Sequence, residues 1–300
     1  MKVFGTSDIH LDINSLGLHR TRVIHNPLGG NPLIAQYPND TLLIAGDMFE
    51  VRSLIGDEPL DGFQTRIKTT VLREFELICE AYKYVVVIFG NHEFYNNAID
   101  RAHDEFAKAT SHITNLIKLD NGSVTLDGEV TIYGTTLWTD MNNADAMVQQ
   151  ACRRGMNDYH LILNEGGALN EYGEFRRLLP ADTIDLYTRN REWLMTELAN
   201  IDPDGTVPII VMTHHAPILG HVNNQRSGFS PVNFAYAATN LEYPILENDE
   251  KVAVWFHGHT HDHKTTEVGK TVVVTAARGY YEEAFEPVLL LDTEVVHVNE

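Results

Sequence analysis

The sequence predicts an α/β fold in which parallel strands alternate with helices and deliver functional groups at their carboxyl ends. Three observations carry this. Short apolar runs recur along the 300 residues, separated by stretches of helical period. Five clusters of hard metal ligands follow in order: Asp8-Ile9-His10, Gly46-Asp47, Gly90-Asn91-His92-Glu93, Thr213-His214-His215 and Gly258-His259-Thr260-His261. Each cluster comes after an apolar run, where a strand gives way to a loop.

Residues 2–7 and 41–45 read as short strands that stop at a ligand. Residues 61–83 read as a helix, with Phe63, Ile67, Val71, Phe75 and Ile78 at spacings of four and three. Tyr84-Val85-Val86-Val87-Ile88-Phe89 has the β-branched character of a strand buried on both faces, and a helix follows from about 97 to 109. Residues 115–119, 123–127 and 130–137 suggest a hairpin-like stretch with Asp127-Gly128 as its turn. Residues 143–154 and 181–199 read as helices, the second opened by Pro180 and closed near Pro203 and Gly205. The runs 208–212 and 252–256 are buried-type strands that empty into histidine motifs, and 264–292 reads as short strands around Gly269 and Pro287. Without repeats, low-complexity tracts or a linker, the expectation is one domain, 1–300. Gly166-Gly167 and residues 220–231 read as excursions, the second long enough to contact a substrate.

With 43% hydrophobic residues there is material for a sizeable core, yet no apolar run long enough to span a membrane. The start, Met1 to Asp8, reads as a first strand rather than a signal peptide. Cys79 and Cys152, far apart on predicted helices, read as buried thiols in a reducing compartment, which makes a cytoplasmic location the economical expectation. Lys and Arg number 22 against 42 Asp and Glu, a net charge of −20 that disfavours extended nucleic-acid binding. The basic pairs Arg153-Arg154 and Arg176-Arg177 are isolated. A nucleotide or phosphoprotein loop can still enter a metal-bearing pocket, because the ions reverse the local field.

The clusters themselves point to a site for two metal ions. Asp8 and His10 lie two apart on an emerging strand, so their side chains can leave from one face. Gly46 lets the backbone turn closely and aims Asp47 into the site. Asn91 offers a carbonyl oxygen, His92 a proton-transfer group, and His214, His259 and His261 imidazoles. This oxygen and nitrogen set without thiolate suits manganese, iron, nickel or zinc, manganese being favoured, better than magnesium or calcium. Two adjacent divalent ions bind both sides of a phosphoryl group and supply hydroxide near neutral pH.

Asp-x-His, Gly-Asp, Gly-Asn-His-Glu, Thr-His-His and Gly-His-Thr-His in this order resemble the signature of the calcineurin-like metallophosphoesterases over nearly the whole chain. Residues 134–139, 154–158, Arg278-Gly279-Tyr280 and Phe285-Glu286-Pro287 resemble a bacterial and phage-type branch of it. The resemblance implies a four-layer α/β/β/α sandwich of two mixed sheets flanked by helices. It makes Asp8, His10 and His261 ligands of one ion, Asn91, His214 and His259 ligands of the other, and Asp47 the bridge. It also implies that His92 binds no metal, and that a hydroxide shared by the ions attacks phosphorus in line while His92 assists the leaving oxygen. Two departures, Thr275-Ala276-Ala277 where relatives often have Asn-Pro and Glu93 where Asp is commoner, leave every ligand in place.

Around these residues the alternatives stay open. His215 is a candidate phosphate contact or a packing histidine, and Arg278 a candidate substrate anchor or a salt-bridge partner. Asp12 either orients His10 or is a plain loop acid. His257 is expected to be buried and hydrogen-bonded, and His263 to lie at the surface. Tyr95, Trp138, Asn157, Asp158 and Tyr280 lie on segments that can line the mouth. The expected activity is metal-dependent hydrolysis of a phosphate mono- or diester: a small metabolite, nucleotide or phosphopeptide. The alternatives are a nuclease or cyclic nucleotide phosphodiesterase of the same fold, or a protein-binding scaffold with a decayed metal site. The intact ligand set argues against the scaffold.

Overall fold

The computed structural model describes residues 1–14, 32–34, 36–55, 62–165, 175–202, 204–222, 228, 230–279 and 287–296. In chain order the first strands are β1 (Lys2–Thr6), β2 (Tyr37–Ala45), β3 (Tyr82–Ile88), β4 (Leu116–Lys118), β5 (Gly122–Leu126) and β6 (Val130–Thr135). There follow β7 (Leu163–Asn164), β8 (Arg176–Arg177), β9 (Ile209–Thr213), β10 (Val252–His257), β11 (His263–Val268), β12 (Thr271–Ala276) and β13 (Val288–Asp292). One sheet runs β13-β1-β2-β3-β4 and the other β11-β12-β10-β9-β6-β5, while β7 pairs with β8. In each sheet four parallel strands sit beside antiparallel edge strands: β13 in the first, β11 and β5 in the second.

Strand alternation builds the layers. Leu43, Ala45, Val86 and Ile88 of the first sheet meet Ile132, Ile210, Met212 and Phe256 of the second in one buried cluster. The intervening residues Leu42, Ile44, Val85 and Val87 belong instead to the cluster that contains Val71, Phe75 and Ile78 of the Gly62–Ala81 helix and Phe106 of the Ile99–Thr110 helix. Val211 and Trp255 of the second sheet share that cluster with Leu194 and Leu198 of the Pro180–Ala199 helix. The result is the helix, sheet, sheet, helix sandwich that the sequence resemblance implies.

The predicted hairpin-like stretch over 115–137 divides between the sheets. β4 pairs with β3 in the first sheet, and only β5 and β6 form a hairpin. Its turn carries Asp127 and Gly128 at φ 51° and 75° and is closed by the Glu129 N–H on the Leu126 carbonyl at 2.9 Å. Gly134 follows on β6, where a Cβ would come within 2.8 Å of Ile88 and Leu119. The predicted helix at 143 starts at Ala146 because Asn142 and Asn143 both adopt φ 56°, and the Asp145 carboxylate then caps the N–H groups of Met147 and Val148. Cys79 and Cys152 are buried, and burial pushes both thiols up to about 12. Among the described residues no helix is long and apolar enough to cross a membrane. Gly166-Gly167, Pro203, residues 223–227 and 229 of the expected substrate loop, Tyr280, Phe285 and Glu286 lie outside the described residues.

Candidate metal centre

All five ligand clusters follow the carboxyl ends of β1, β2, β3, β9 and β10, where the two sheets meet. β1 ends at Thr6, so Asp8 and His10 are not on an extended strand. They occupy left-handed backbone at φ 53° and 40°, and this turn, rather than strand alternation, brings their side chains together. Asp47, His259 and His261 also have positive φ, at 55°, 68° and 48°. Such conformations cost of order 1–3 kcal/mol each for a non-glycine residue and concentrate at functional sites. The glycines beside them give close approach. At Gly46 (φ 85°) a Cβ would lie 2.5 Å from His214 Nδ1, at Gly90 it would collide with the Asp47 carboxylate, and at Gly258 it would lie 2.8 Å from Asp8 Oδ2.

Two groups of side chains bring potential ligand atoms within 4.8 Å of one another: Asp8, His10, Asp47 and His261, and Asp47, His214 and His259. Asp47 is common to both. The hydrogen-bond pattern tests whether a cation fits. His214 Nδ1 donates to the Ala45 carbonyl at 2.8 Å, so a neutral His214 ring carries a bare lone pair on Nε2. That nitrogen faces Asn91 Oδ1 at 3.0 Å and Asp47 Oδ1 at 3.4 Å, both acceptors, and His259 Nδ1 at 3.1 Å. Acceptors converging without protons repel one another unless a cation lies between them. Buried His259 Nε2 has no hydrogen-bond partner among the described residues. In the other group His261 Nε2 lies 3.1 Å from Asp8 Oδ1 and 3.4 Å from His10 Nε2. The residues present therefore fit divalent metal.

The electrostatics agree. Burial pushes Asp47 well above the usual carboxylate range, and the nearby Glu93 and Asp8 carboxylates push the same way. For Asp8, burial is outweighed by the imidazoles of His261, His214 and His10, which hold it below that range. Burial lowers His10, His214 and His259, whereas Asp8 outweighs burial at His261 and raises it. Glu93 is wholly buried and accepts from the backbone N–H groups of Met48 (2.6 Å), Gly90 (2.7 Å) and Asp47 (3.0 Å), tying the β2 and β3 loops together. Burial pushes it up to about 7, against those three donors.

His92 stands at the opening. Its backbone N–H donates to Asp47 Oδ1 at 2.9 Å, and its Nε2 lies 3.9 Å from Asp47 Oδ2. The ring stacks on Tyr95 (centroids 4.1 Å) and meets His10 edge-on at 4.6 Å. Burial, with His214 adding to it, pushes its pKa down to about 3. A cleft of about 620 Å³ opens over Asp47 and His92, walled by Tyr95, Met156, Val232 and Tyr236.

A family model described as calcineurin-like phosphoesterase matches residues 1–263. The chain belongs to the calcineurin-like phosphoesterase family. An uncharacterized protein of Acanthamoeba polyphaga mimivirus is 24% identical over 276 residues, 87% of this chain and 88% of the relative. Among solved structures, phosphopantetheinyl hydrolase from Mycobacterium tuberculosis is similar with a TM-score of 0.61 at 16% identity, over 96% of this chain and 95% of that one. At that identity the likeness speaks for the fold. Family membership makes the chain a metal-dependent phosphoric ester hydrolase.

Other singled-out residues of this phosphoesterase fall in several places. His215 is buried, donates from Nδ1 to the Thr136 carbonyl at 3.2 Å, and packs between Trp138 and His259 rather than on the cleft wall. Arg278 follows β12, with its backbone N–H on the Ser7 carbonyl at 3.0 Å; burial lowers its pKa against the opposing Glu74 carboxylate. The Asp12 carboxylate accepts from the N–H groups of Ile13 and Glu50, joining the loops after β1 and β2. His257 is buried, with Nε2 2.8 Å from His221 Nδ1, and His263 is exposed. Asn157 lines the cleft. Tyr236 and Val232 escaped sequence reasoning. Tyr236 stacks on His259 at 4.7 Å and is held by its carbonyl, which accepts from Ala216 N. Both residues stand on the helical turn Pro231–Ala235 and its end, opened by the Ser230 side chain, and nothing in spacing marks its proximity to His259.

Proposed function

We propose that this chain hydrolyses a phosphate mono- or diester of a small metabolite, nucleotide or phosphopeptide at a two-ion centre. Asp8, His10 and His261 would hold one ion and Asn91, His214 and His259 the other, with Asp47 offered to both. The observation that carries this reading is that Asp47 alone belongs to both groups of converging ligand atoms. Manganese is the favoured metal, because the set is oxygen and imidazole without thiolate. When bound, two such ions neutralise charge on a phosphoryl group and lower the pKa of water toward about 7.

The protein's own groups do the rest. Asp47 is held by the His92 N–H, and the Glu93 carboxylate fixes the two loops that carry Asp47 and Asn91. His92 faces the cleft beside Asp47, a position suited to donating a ring N–H to the leaving oxygen. The walls of Tyr95, Met156, Val232 and Tyr236 suit a leaving group with an apolar or aromatic face. His215 acts on substrate only through His259, and Arg278 is a candidate contact from the β12 end. Pairing of β13 with β1 supports treating 1–300 as one domain, and the buried thiols Cys79 and Cys152 support a cytoplasmic setting.

The test is elemental analysis of manganese-loaded protein beside a screen of phosphomonoesters, cyclic and linear dinucleotides and single-stranded DNA. Two ions per chain with turnover of a small ester is the expected result. One ion, or turnover confined to single-stranded DNA, overturns it.

A further inference from the structure

We propose that Asp158 is a positioning residue that decides which atom of Asn91 faces the centre and steadies the ring of His92. This rests on the reading of Asn91 as a metal ligand. Asn91, Tyr95 and Asp158 are all buried, and Asp158 stands at the start of the short helix Asp158–Leu161, far along the chain from the other two. Asn91 Nδ2 lies 2.8 Å from Asp158 Oδ1 and 3.1 Å from the Tyr95 hydroxyl, and that hydroxyl lies 2.7 Å from the same Oδ1.

Asp158 Oδ1 lies within hydrogen-bond distance of the Tyr95 hydroxyl and of the Asn91 amide nitrogen, and it accepts from both. The Tyr95 oxygen accepts from the same amide group. The N–H groups of Asn91 are thereby engaged on the side away from the centre, and Oδ1 is left facing His214 Nε2 at 3.0 Å. An amide turned through 180° would aim N–H groups at a cation and its oxygen at the Asp158 carboxylate. Both contacts repel. The same Tyr95 ring, held by its hydroxyl, stacks on His92 at 4.1 Å. One carboxylate outside the cleft lining thus sets a ligand atom and braces the ring beside the leaving group.

The experiment titrates manganese into metal-stripped full-length protein by calorimetry, with elemental analysis after desalting and circular dichroism and melting of the metal-free form. Asp158→Leu, whose branched side chain has the shape of the carboxylate but accepts no hydrogen bond, is expected to fold as the parent does and to bind one of its two ions about 10- to 100-fold more weakly, the cost typical of a lost outer-shell partner. Turnover should recover as manganese is raised. The exchange Asn91→Asp with Asp158→Asn is expected to restore affinity to within a few-fold. Either oxygen of the new carboxylate can face the centre, while the amide at 158 donates to the other. Parental affinity in Asp158→Leu, or a double variant that binds no better than Asp158→Leu, overturns the positioning role. If Asn91→Ala leaves both ions bound as tightly as in the parent, the ligand reading itself fails and takes this inference with it.

Discussion

Replacing Asp47 by Asn should raise the stability of the metal-free protein and remove most of its stabilisation by metal. The side chain keeps its shape, and its Oδ1 can still accept from the His92 N–H at 2.9 Å. What disappears is a buried negative charge that burial and the carboxylates of Glu93 and Asp8 all oppose. The metal-free variant is therefore expected to melt at or above the parent's temperature. With metal the sign reverses. Metal at 100 times its Kd stabilises the native state by about 2.7 kcal/mol. A ligand serving both ions should weaken binding by at least the roughly 100-fold that marks the upper range for an outer-shell partner. At the same metal concentration about 0.4 kcal/mol would then remain. The missing stabilisation, about 2.3 kcal/mol, is a melting shift of roughly 5 °C at about 2 °C per kcal/mol, the lower bound suited to a chain of this size. Thermal melts with chelator and with titrated manganese, beside elemental analysis, read all three quantities. Retention of two ions with an undiminished metal-induced shift would refute the bridging assignment, and a metal-free variant markedly less stable than the parent would refute the electrostatic account.

His92→Ala should keep both ions and lower turnover roughly 100-fold for an alkyl phosphate, the size of an acid–base contribution. The loss should shrink for a nitrophenyl ester, and an equal loss for both leaving groups would count against donation to the leaving oxygen. Gly90→Ala should cost both metal affinity and about 1–3 kcal/mol of stability, since its Cβ collides with the Asp47 carboxylate and comes 2.5 Å from the His214 ring; denaturant melts and metal titration check this. His221, pushed down to about 4 by burial with Lys264 adding to it, stays neutral in the fold while its unfolded counterpart titrates near 6.5. The unfolded chain takes its proton first as pH falls, so stability should decline between about 6.5 and 4 and level off below. Urea melts at pH 7.5 and 5 should differ less in His221→Gln, and an unchanged difference would exclude His221 as a contributor.

Much of the candidate centre was legible because its potential ligands are local to strand ends. An apolar run followed by Gly-Asp or Gly-His names both the strand and the group at its tip, so Asp47 and His259 could be read without coordinates. Neighbouring residues were harder. His214 and His215 look equivalent in sequence, yet one faces Asn91 and Asp47 while the other, at a bend beyond the end of β9, turns to the Thr136 carbonyl and Trp138. Strand periodicity misled at Asp8 and His10, where left-handed backbone replaces the strand.

The sequence by itself determined the chemistry: which atoms are offered, in what order, and on which strands, since these follow from residue type and short-range periodicity. Only the tertiary structure decided that β1, β2 and β3 of one sheet would meet β9 and β10 of the other, so that Asp47 is shared between two groups of potential ligand atoms. It also decided that Asp158 would meet the Asn91 amide and that Tyr236 would lie on His259. Those contacts join segments far apart in the chain, and their geometry is set by how the two sheets pack, which no local pattern encodes.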